Sequence, residues 1–223
     1  ELLTAPGRLP ISGEYIHRDA FDIGAKYGKD VFLLIDRFGT DKVPAAFAWK
    51  SRIDGWCERI GLRGATDHVL QALSALCPGH LPRRLREYRD RYDHLLLLNV
   101  AVEDAGTTRA LLERFFTGTA GGFFECDADE GRKAFLHRFA VGSAAVRYRE
   151  THRSSVEDIV ALDIALRRDE RDWVETLPAD IDAAMVAKLY YGHFFCPVFH
   201  QDYIVKKGAD PLASEHRMWE LLD

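Results

Sequence analysis

The sequence predicts an α+β fold: an antiparallel sheet with helices on one face, carrying a helical, basic insertion. Three observations predict it. Strand-like runs alternate with helical segments along most of the 223 residues, the order expected of a sheet covered by helices. None of those runs is followed by the Gly-rich turn of a nucleotide-binding βα unit. Between Lys50 and Tyr92 the strand order lapses, and short apolar groups alternate with Gly, Pro and Arg.

Taken in order, the first element is expected to be a helix, capped by Ser12, with Ile16, Ala20, Phe21 and Ile23 on one side and Gly28 as its stop. Val31 to Asp36 reads as a buried strand, and Thr40 to Trp49 as a weaker extended stretch interrupted by Pro44. Residues 50–92 read as short amphipathic helices broken at Gly61–Gly64 and Cys77–His80. His94 to Val102 is the next strand, Ala110 to Phe116 the core of a helix ended by Gly118, and Phe123 to Cys126 a short strand. Ala128 to Arg149 is a long helix with Phe135, Leu136, Phe139, Ala140 and Val146 inward. Asp158 to Leu166 is a strand, Arg167 to Ile181 is polar and loop-rich, and Met185 leads into a last extended stretch from Gly192 to Lys207.

Composition narrows the function classes. Apolar residues make up 47% and charged residues 29%, which excludes a disordered or fibrous chain. The longest aliphatic run, Leu95 to Leu98, is far short of the ~20 residues of a spanning helix. No secretory signal opens the chain, and with Glu at residue 1 and only 2 Met it reads as an internal piece of a longer protein. Four scattered cysteines without a C-x-x-C pair read as free thiols of a reducing compartment. Net charge is −1 over residues 1–49, +3 over 50–94 and −7 over 95–223. The basic island is densest at Arg83, Arg84, Arg86, Arg89 and Arg91. A basic patch on an acidic protein argues against nucleic acid as partner and for one local anionic surface.

The stretch from Tyr190 to Tyr203 is the most informative. His193 and His200 are seven apart, so an unbroken strand would place them on opposite faces. Pro197 breaks the strand or bulges it, and both imidazoles can then converge. A converged pair suits metal binding or proton abstraction near neutral pH. The competing reading is two satisfied polar residues in an apolar strand.

Several blocks resemble one family. Gly13-Glu14-Tyr15-Ile16-His17-Arg18-Asp19, Lys26-Tyr27-Gly28-Lys29-Asp30, Lys133 to Phe139, Val156 to Arg168 and His200 to Gly208 are similar to the quinone-dependent D-lactate dehydrogenases. The resemblance implies the cap and membrane-binding regions of an FAD enzyme. Such an enzyme oxidises D-lactate to pyruvate, passes electrons to membrane quinone and sits peripherally on the cytoplasmic face of the bacterial inner membrane. On that pattern residues 1–48, 93–166 and 188–223 form the cap, 49–92 the membrane-binding insertion and 167–187 an interfacial loop or helix. The FAD-binding domain is absent from this chain, so the isolated fragment is expected to be inactive.

More distant FAD-linked 2-hydroxy-acid dehydrogenases carry a paired-histidine motif with the same spacing, and His193 and His200 fall on it. The Gly-Asp-Gly-Asn between the pair in those relatives is here Phe194 to Phe199, so no metal is assigned. The resemblance makes the pair catalytic and Lys206 the cation for the substrate carboxylate. It makes Arg83, Arg84, Arg86, Arg89 and Arg91 contacts to anionic phospholipid, with Trp173, Arg167, Arg168 and Arg171 as a weaker second contact. Without the family, the arginines equally fit a solvated helix face laced with Glu87 and Asp90. The alternative for the whole chain is a non-catalytic membrane-adsorbing or interaction module.

Overall fold

The chain enters the fold through a strand. In the computed structural model, which describes residues 11–167, 169–170, 175–196 and 198–221, β1 (Ser12–His17) pairs antiparallel with β2 (His94–Asn99) and with β4 (Met185–His193). β5 (Val198–Lys206) lies between β4 and β3 (Val156–Ala165). The sheet order is β2-β1-β4-β5-β3, antiparallel throughout. The expected helix at Ser12 begins only at Arg18. Tyr15 and Ile16 are buried on opposite faces of a central strand, which a helical stripe cannot achieve. The helix that follows, α1 (Arg18–Tyr27), is capped by the His17 ring, which accepts from the Asp19 amide at 3.3 Å.

Three further expectations give way. Val31 to Asp36 lies in helix α2 (Lys29–Phe38), which buries Val31, Phe32 and Ile35 as one helical stripe. A short apolar run fits a buried strand or a buried helix equally, and the surface it meets decides. Thr40 to Trp49 is a 3-10 turn running into α3 (Val43–Arg59), with Pro44 in the helix's first turn, where its missing N–H costs nothing. Phe123 to Cys126 has no strand partner and runs as an irregular segment. Its carbonyl at Phe123 accepts from the Tyr88 hydroxyl at 2.8 Å.

The extents of the other helices follow the sequence: α4 (Ala65–Leu76), α5 (Arg83–Arg91), α6 (Ala105–Gly118) and α7 (Ala128–Thr151). The inward face of α7 does not: Phe139 and Val146, expected inside, are exposed, and the buried stripe runs through Ala134, His137, Val141, Ala144 and Ala145, mostly small side chains that let α1 approach. A capping box between Asp127 and Glu130 opens α7, an arrangement worth about 1 kcal/mol. Short α8 (Ala179–Ala183) and α9 (Pro211–Trp219) complete the described chain.

α1, α2 and α7 pack on one face of the sheet. The main core there joins Ile16, Phe21, Val141, Val156, Leu189 and Ile204, and it also takes in Leu81 and Leu85 beside and within α5. α1 and α7 approach closely at Gly28, where a Cβ would stand 2.6 Å from the Ala140 carbonyl oxygen. The opposite face is covered near β3 and β5 by Ile181 of α8 and Met218 of α9. Within residues 49–92 no described residue is in a strand. α5 shares the main core, whereas α3 and α4 are joined to α7 mainly by charge. Asp67, 4% exposed, accepts from Lys50 Nζ at 2.8 Å and meets Arg147 Nε at 3.3 Å, and Arg147 reaches Asp30 at 2.6 Å.

Candidate functional site

β4 and β5 form a hairpin in which Tyr191 faces His200 and His193 faces Val198. Cross-strand partners share a face, and so does every second residue along a strand. Tyr191, His193, His200 and Asp202 therefore all point to the α7 side. The hairpin needs Gly192, because a Cβ there would collide with the Val198 carbonyl oxygen. The two histidines meet with ring centres 5.6 Å apart and planes at 77°. The convergence that the spacing permitted is what the chain adopts.

Each ring has a carboxylate at its Nδ1. His193 Nδ1 is 3.0 Å from Glu14 Oε2, and Glu14 is its cross-strand partner on β1. His200 Nδ1 is 2.5 Å from Asp163 Oδ1 of the paired strand β3. A carboxylate at Nδ1 favours the tautomer protonated there and leaves the Nε2 lone pair as acceptor. The Tyr191 ring lies 5.1 Å from that of His200, tilted at 39°, and its hydroxyl donates to Asp202 at 2.9 Å. Burial raises the Asp202 carboxyl above the usual carboxylate range, while the Tyr191 donor and the nearby His200 oppose that rise. The Tyr191 phenol is held above its ordinary value, chiefly by burial.

Arg138 of α7 completes the cluster. Its Nε lies 3.5 Å from Glu14 Oε1, and its guanidinium lies over the Phe139 ring at 4.3 Å. Among the described residues neither Arg138 Nε nor Glu14 Oε2 makes a well-aligned hydrogen bond: the His193 ring is aligned on Oε1 at 3.3 Å, and the Arg138 contact with Oε1 is an ion pair at 3.5 Å. A buried guanidinium N–H and a carboxylate oxygen with hydrogen-bonding capacity to spare mark a position where a polar molecule would be satisfied. Lys206 is not part of this cluster. It donates to the Ala183 carbonyl at 2.6 Å and lies six residues along β5 from His200, roughly 20 Å at the rise of a strand.

The five arginines of α5 divide. Arg84 is paired with Glu130 and Arg89 with Asp22. Arg83 makes only a loose contact with Glu87 at 3.5 Å and its side chain is 81% exposed. Arg86 and Arg91 are exposed as well. The charge that faces solvent therefore comes from Arg83, Arg86 and Arg91. Of the second patch, Arg168, Arg171 and Trp173 lie outside the described residues. No helix among the described residues is long and apolar enough to cross a membrane.

The sequence reading missed Glu14, Asp163, Tyr191 and Arg138. Glu14, Arg138 and Asp163 all stood in blocks that carried the resemblance, but the placement of Ser12 to His17 in a helix hid the partnership of Glu14 with His193.

Comparison with known proteins agrees with the residues. The family model described as "D-lactate dehydrogenase, membrane binding" matches residues 1–223. The quinone-dependent D-lactate dehydrogenase of Escherichia coli is 52% identical over 216 residues, covering 96% of this chain and 38% of that protein. The Haemophilus influenzae enzyme of the same name is 52% identical over 222 residues, with 96% and 39% covered. That of Corynebacterium glutamicum is 41% identical over 225 residues, with 99% and 39% covered. The chain thus spans about two-fifths of the length of these relatives. With every residue inside the family model, the chain belongs to the D-lactate dehydrogenase membrane-binding family.

Proposed function

We propose that this chain is the substrate-side cap and membrane-attachment region of a respiratory enzyme that oxidises D-lactate to pyruvate and passes the electrons to quinone. The enzyme would work peripherally on the cytoplasmic face of a bacterial inner membrane. FAD belongs to this reading, but these residues do not fit it as a complete site. A flavin dinucleotide needs a diphosphate cradle at a Gly-rich turn leading into a helix, and none of the described helices follows a strand through such a turn. FAD would be held by a domain outside these residues.

The observation that carries the catalytic part is the histidine pair with a carboxylate behind each ring. Oxidising a 2-hydroxy acid requires a base for the hydroxyl proton. Nε2 of His193 or His200 accepts that proton, and Glu14 or Asp163 steadies the imidazolium that results. The substrate carboxylate needs a cation beside the base. Arg138 serves better than Lys206, because it lies in the histidine–carboxylate cluster with a buried Nε that makes no hydrogen bond to a described residue, only a 3.5 Å ion pair with Glu14, whereas Lys206 donates to the Ala183 carbonyl. Arg83, Arg86 and Arg91 would add attraction to anionic phospholipid, about 1 kcal/mol each near the surface.

The test is anaerobic stopped-flow reduction of the flavin by D-lactate in the complete enzyme. His193→Ala and His200→Ala should retain flavin and normal melting, yet slow reduction by 10²–10⁴-fold, the usual cost of losing a general base. Reduction at wild-type speed in both variants would refute the catalytic reading.

A further inference from the structure

α3 and α4 are amphipathic in the inverse sense for a water-soluble protein. Trp49, Ile53 and Trp56 of α3 and Ile60 at its C-terminal cap follow one another at steps of four, three and four, and each is 47–64% exposed. Val69, Leu73 and Leu76 repeat the pattern on α4 at 56–83% exposed. The faces turned toward the protein are largely polar, with Cys57 of α3 buried and Leu70 of α4 half-buried among them. On α4 that face holds Asp67 and Ser74, which are 4% and 3% exposed. On α3 it holds Lys50 and Asp54, joined to each other and to Asp67. Water alone would favour the opposite orientation, since burying one such apolar side chain gains about 1.5–3 kcal/mol. The buried Asp67–Arg147 pair anchors the polar side inward, so a large apolar surface is held outward.

We propose that the outward face of the α3–α4 hairpin beds into the headgroup–acyl boundary of a phospholipid bilayer and supplies most of the attachment energy. This rests on the membrane part of the reading above and not on its catalytic part. Three features select lipid as the occupant. The family is described as membrane binding, and no described helix is able to cross a bilayer, which leaves helices lying in the interface plane. Two tryptophans sit on the face, the side chain favoured at the headgroup level. Exposed arginines flank it, with Arg52 over the Trp49 ring at 5.6 Å and Arg63 at the hairpin turn, positions from which long cationic side chains extend to phosphate. The arginines of α5 would then steer the protein to the surface, and the apolar face would hold it there.

The experiment measures partition of the complete polypeptide onto phosphatidylcholine vesicles with and without phosphatidylglycerol, at low salt and at about 1 M salt, where the screening length shrinks to about 3 Å. Three proteins are compared: wild type, the combined variant Ile53→Gln, Trp56→Gln, Leu73→Gln and Leu76→Gln, and the combined variant Arg83→Gln, Arg86→Gln and Arg91→Gln. Wild type should keep most of its binding at high salt, and its tryptophan emission should move to shorter wavelength on vesicles. The glutamine variant of the apolar face should lose at least about 100-fold in partition at both salts, a conservative figure for four half-inserted side chains at tenfold per 1.4 kcal/mol. The arginine variant should weaken only at low salt and only on anionic vesicles. Binding that vanishes at high salt, or is unchanged in the apolar-face variant, overturns the proposal while leaving membrane attachment intact. So does an apolar face that proves to join two copies, read as a mass that halves in the variant, or to cover another part of the polypeptide, read as a lowered melting temperature. Absence of wild-type binding at any salt overturns this proposal together with the membrane reading itself.

Discussion

Removing the Asp67 carboxylate should release the α3–α4 hairpin from the rest of the fold. Neither helix fully buries a large apolar side chain toward the protein; Leu70 of α4 is half-buried. α3 buries only Cys57, and α4 buries only Asp67 and Ser74. The connection runs instead through Asp67, which accepts from Lys50 at 2.8 Å and meets Arg147 at 3.3 Å, while Arg147 also meets Asp30 of α2 at 2.6 Å. Burial alone would lower the Lys50 amine, yet the hydrogen bonds to Asp54 and Asp67 hold it above its ordinary value. The side chains of Asp67 and Arg147 are each 5% exposed, so solvent screens this pair little. Asp67→Ala would leave a buried guanidinium and a half-buried amine without their shared partner. Because Arg147 keeps Asp30 and Lys50 keeps Asp54, the cost is that of charged hydrogen bonds rather than of an uncompensated charge, about 1.5–3 kcal/mol, which raises the opening equilibrium of the hairpin by roughly 10- to 100-fold. Native-state hydrogen exchange reads it directly: amides of residues 43–76 should exchange faster by that factor, with β4, β5 and α7 little changed. Asp54→Ala is the control, because Asp54 is 31% exposed and pairs only with Lys50, and it should cost under about 1 kcal/mol. Unchanged exchange over residues 43–76, or a loss spread evenly over the sheet, would refute the reasoning.

Two more outcomes follow from buried groups. His137 is fully buried, with Nε2 3.0 Å from the Phe21 carbonyl and Nδ1 3.4 Å from His80; burial pushes the two rings down to about 3 and about 4 from the ordinary 6.5. The unfolded chain therefore takes up protons first as pH falls, so stability is full above pH 6.5 and declines below it by up to about 1.4 kcal/mol per pH unit for each ring. The decline from these rings ends near pH 4 for His80 and pH 3 for His137; melting temperature against pH should fall along that window, and a flat profile would show that these rings do not couple folding to protons. Gly192→Ala should splay the β4–β5 hairpin by the collision with the Val198 carbonyl. The variant should lose about 1–3 kcal/mol as an overpacked site does, together with much of its flavin reduction rate in the complete enzyme; wild-type stability and rate would contradict the geometry.

What the sequence determined by itself was periodicity and chemistry. The extent of α7, the run of β3 and the break after His193 were legible, because each is written in neighbouring residues; the inward face of α7 was not, since Phe139 and Val146 turn outward and small residues meet α1. The seven-residue spacing with a proline between the histidines was enough to expect that they converge. What the rings converge with was not legible. Glu14 lies 179 residues from His193, and Asp163 lies 37 from His200; only the order of strands in the sheet makes them neighbours. Val31 to Ile35 failed for a related reason, since a five-residue apolar run satisfies either a strand or a helix until α7 presents a surface to it. The hairpin of α3 and α4 shows the limit most plainly. The steps of three and four reveal which residues share a face, and Trp56 and Leu73 could be assigned to apolar faces from spacing alone. Periodicity is blind to direction, however. Which face turns inward is decided by the surface it meets, and here that surface is Arg147, buried and charged, so the carboxylates of the hairpin go in and its tryptophans stay out.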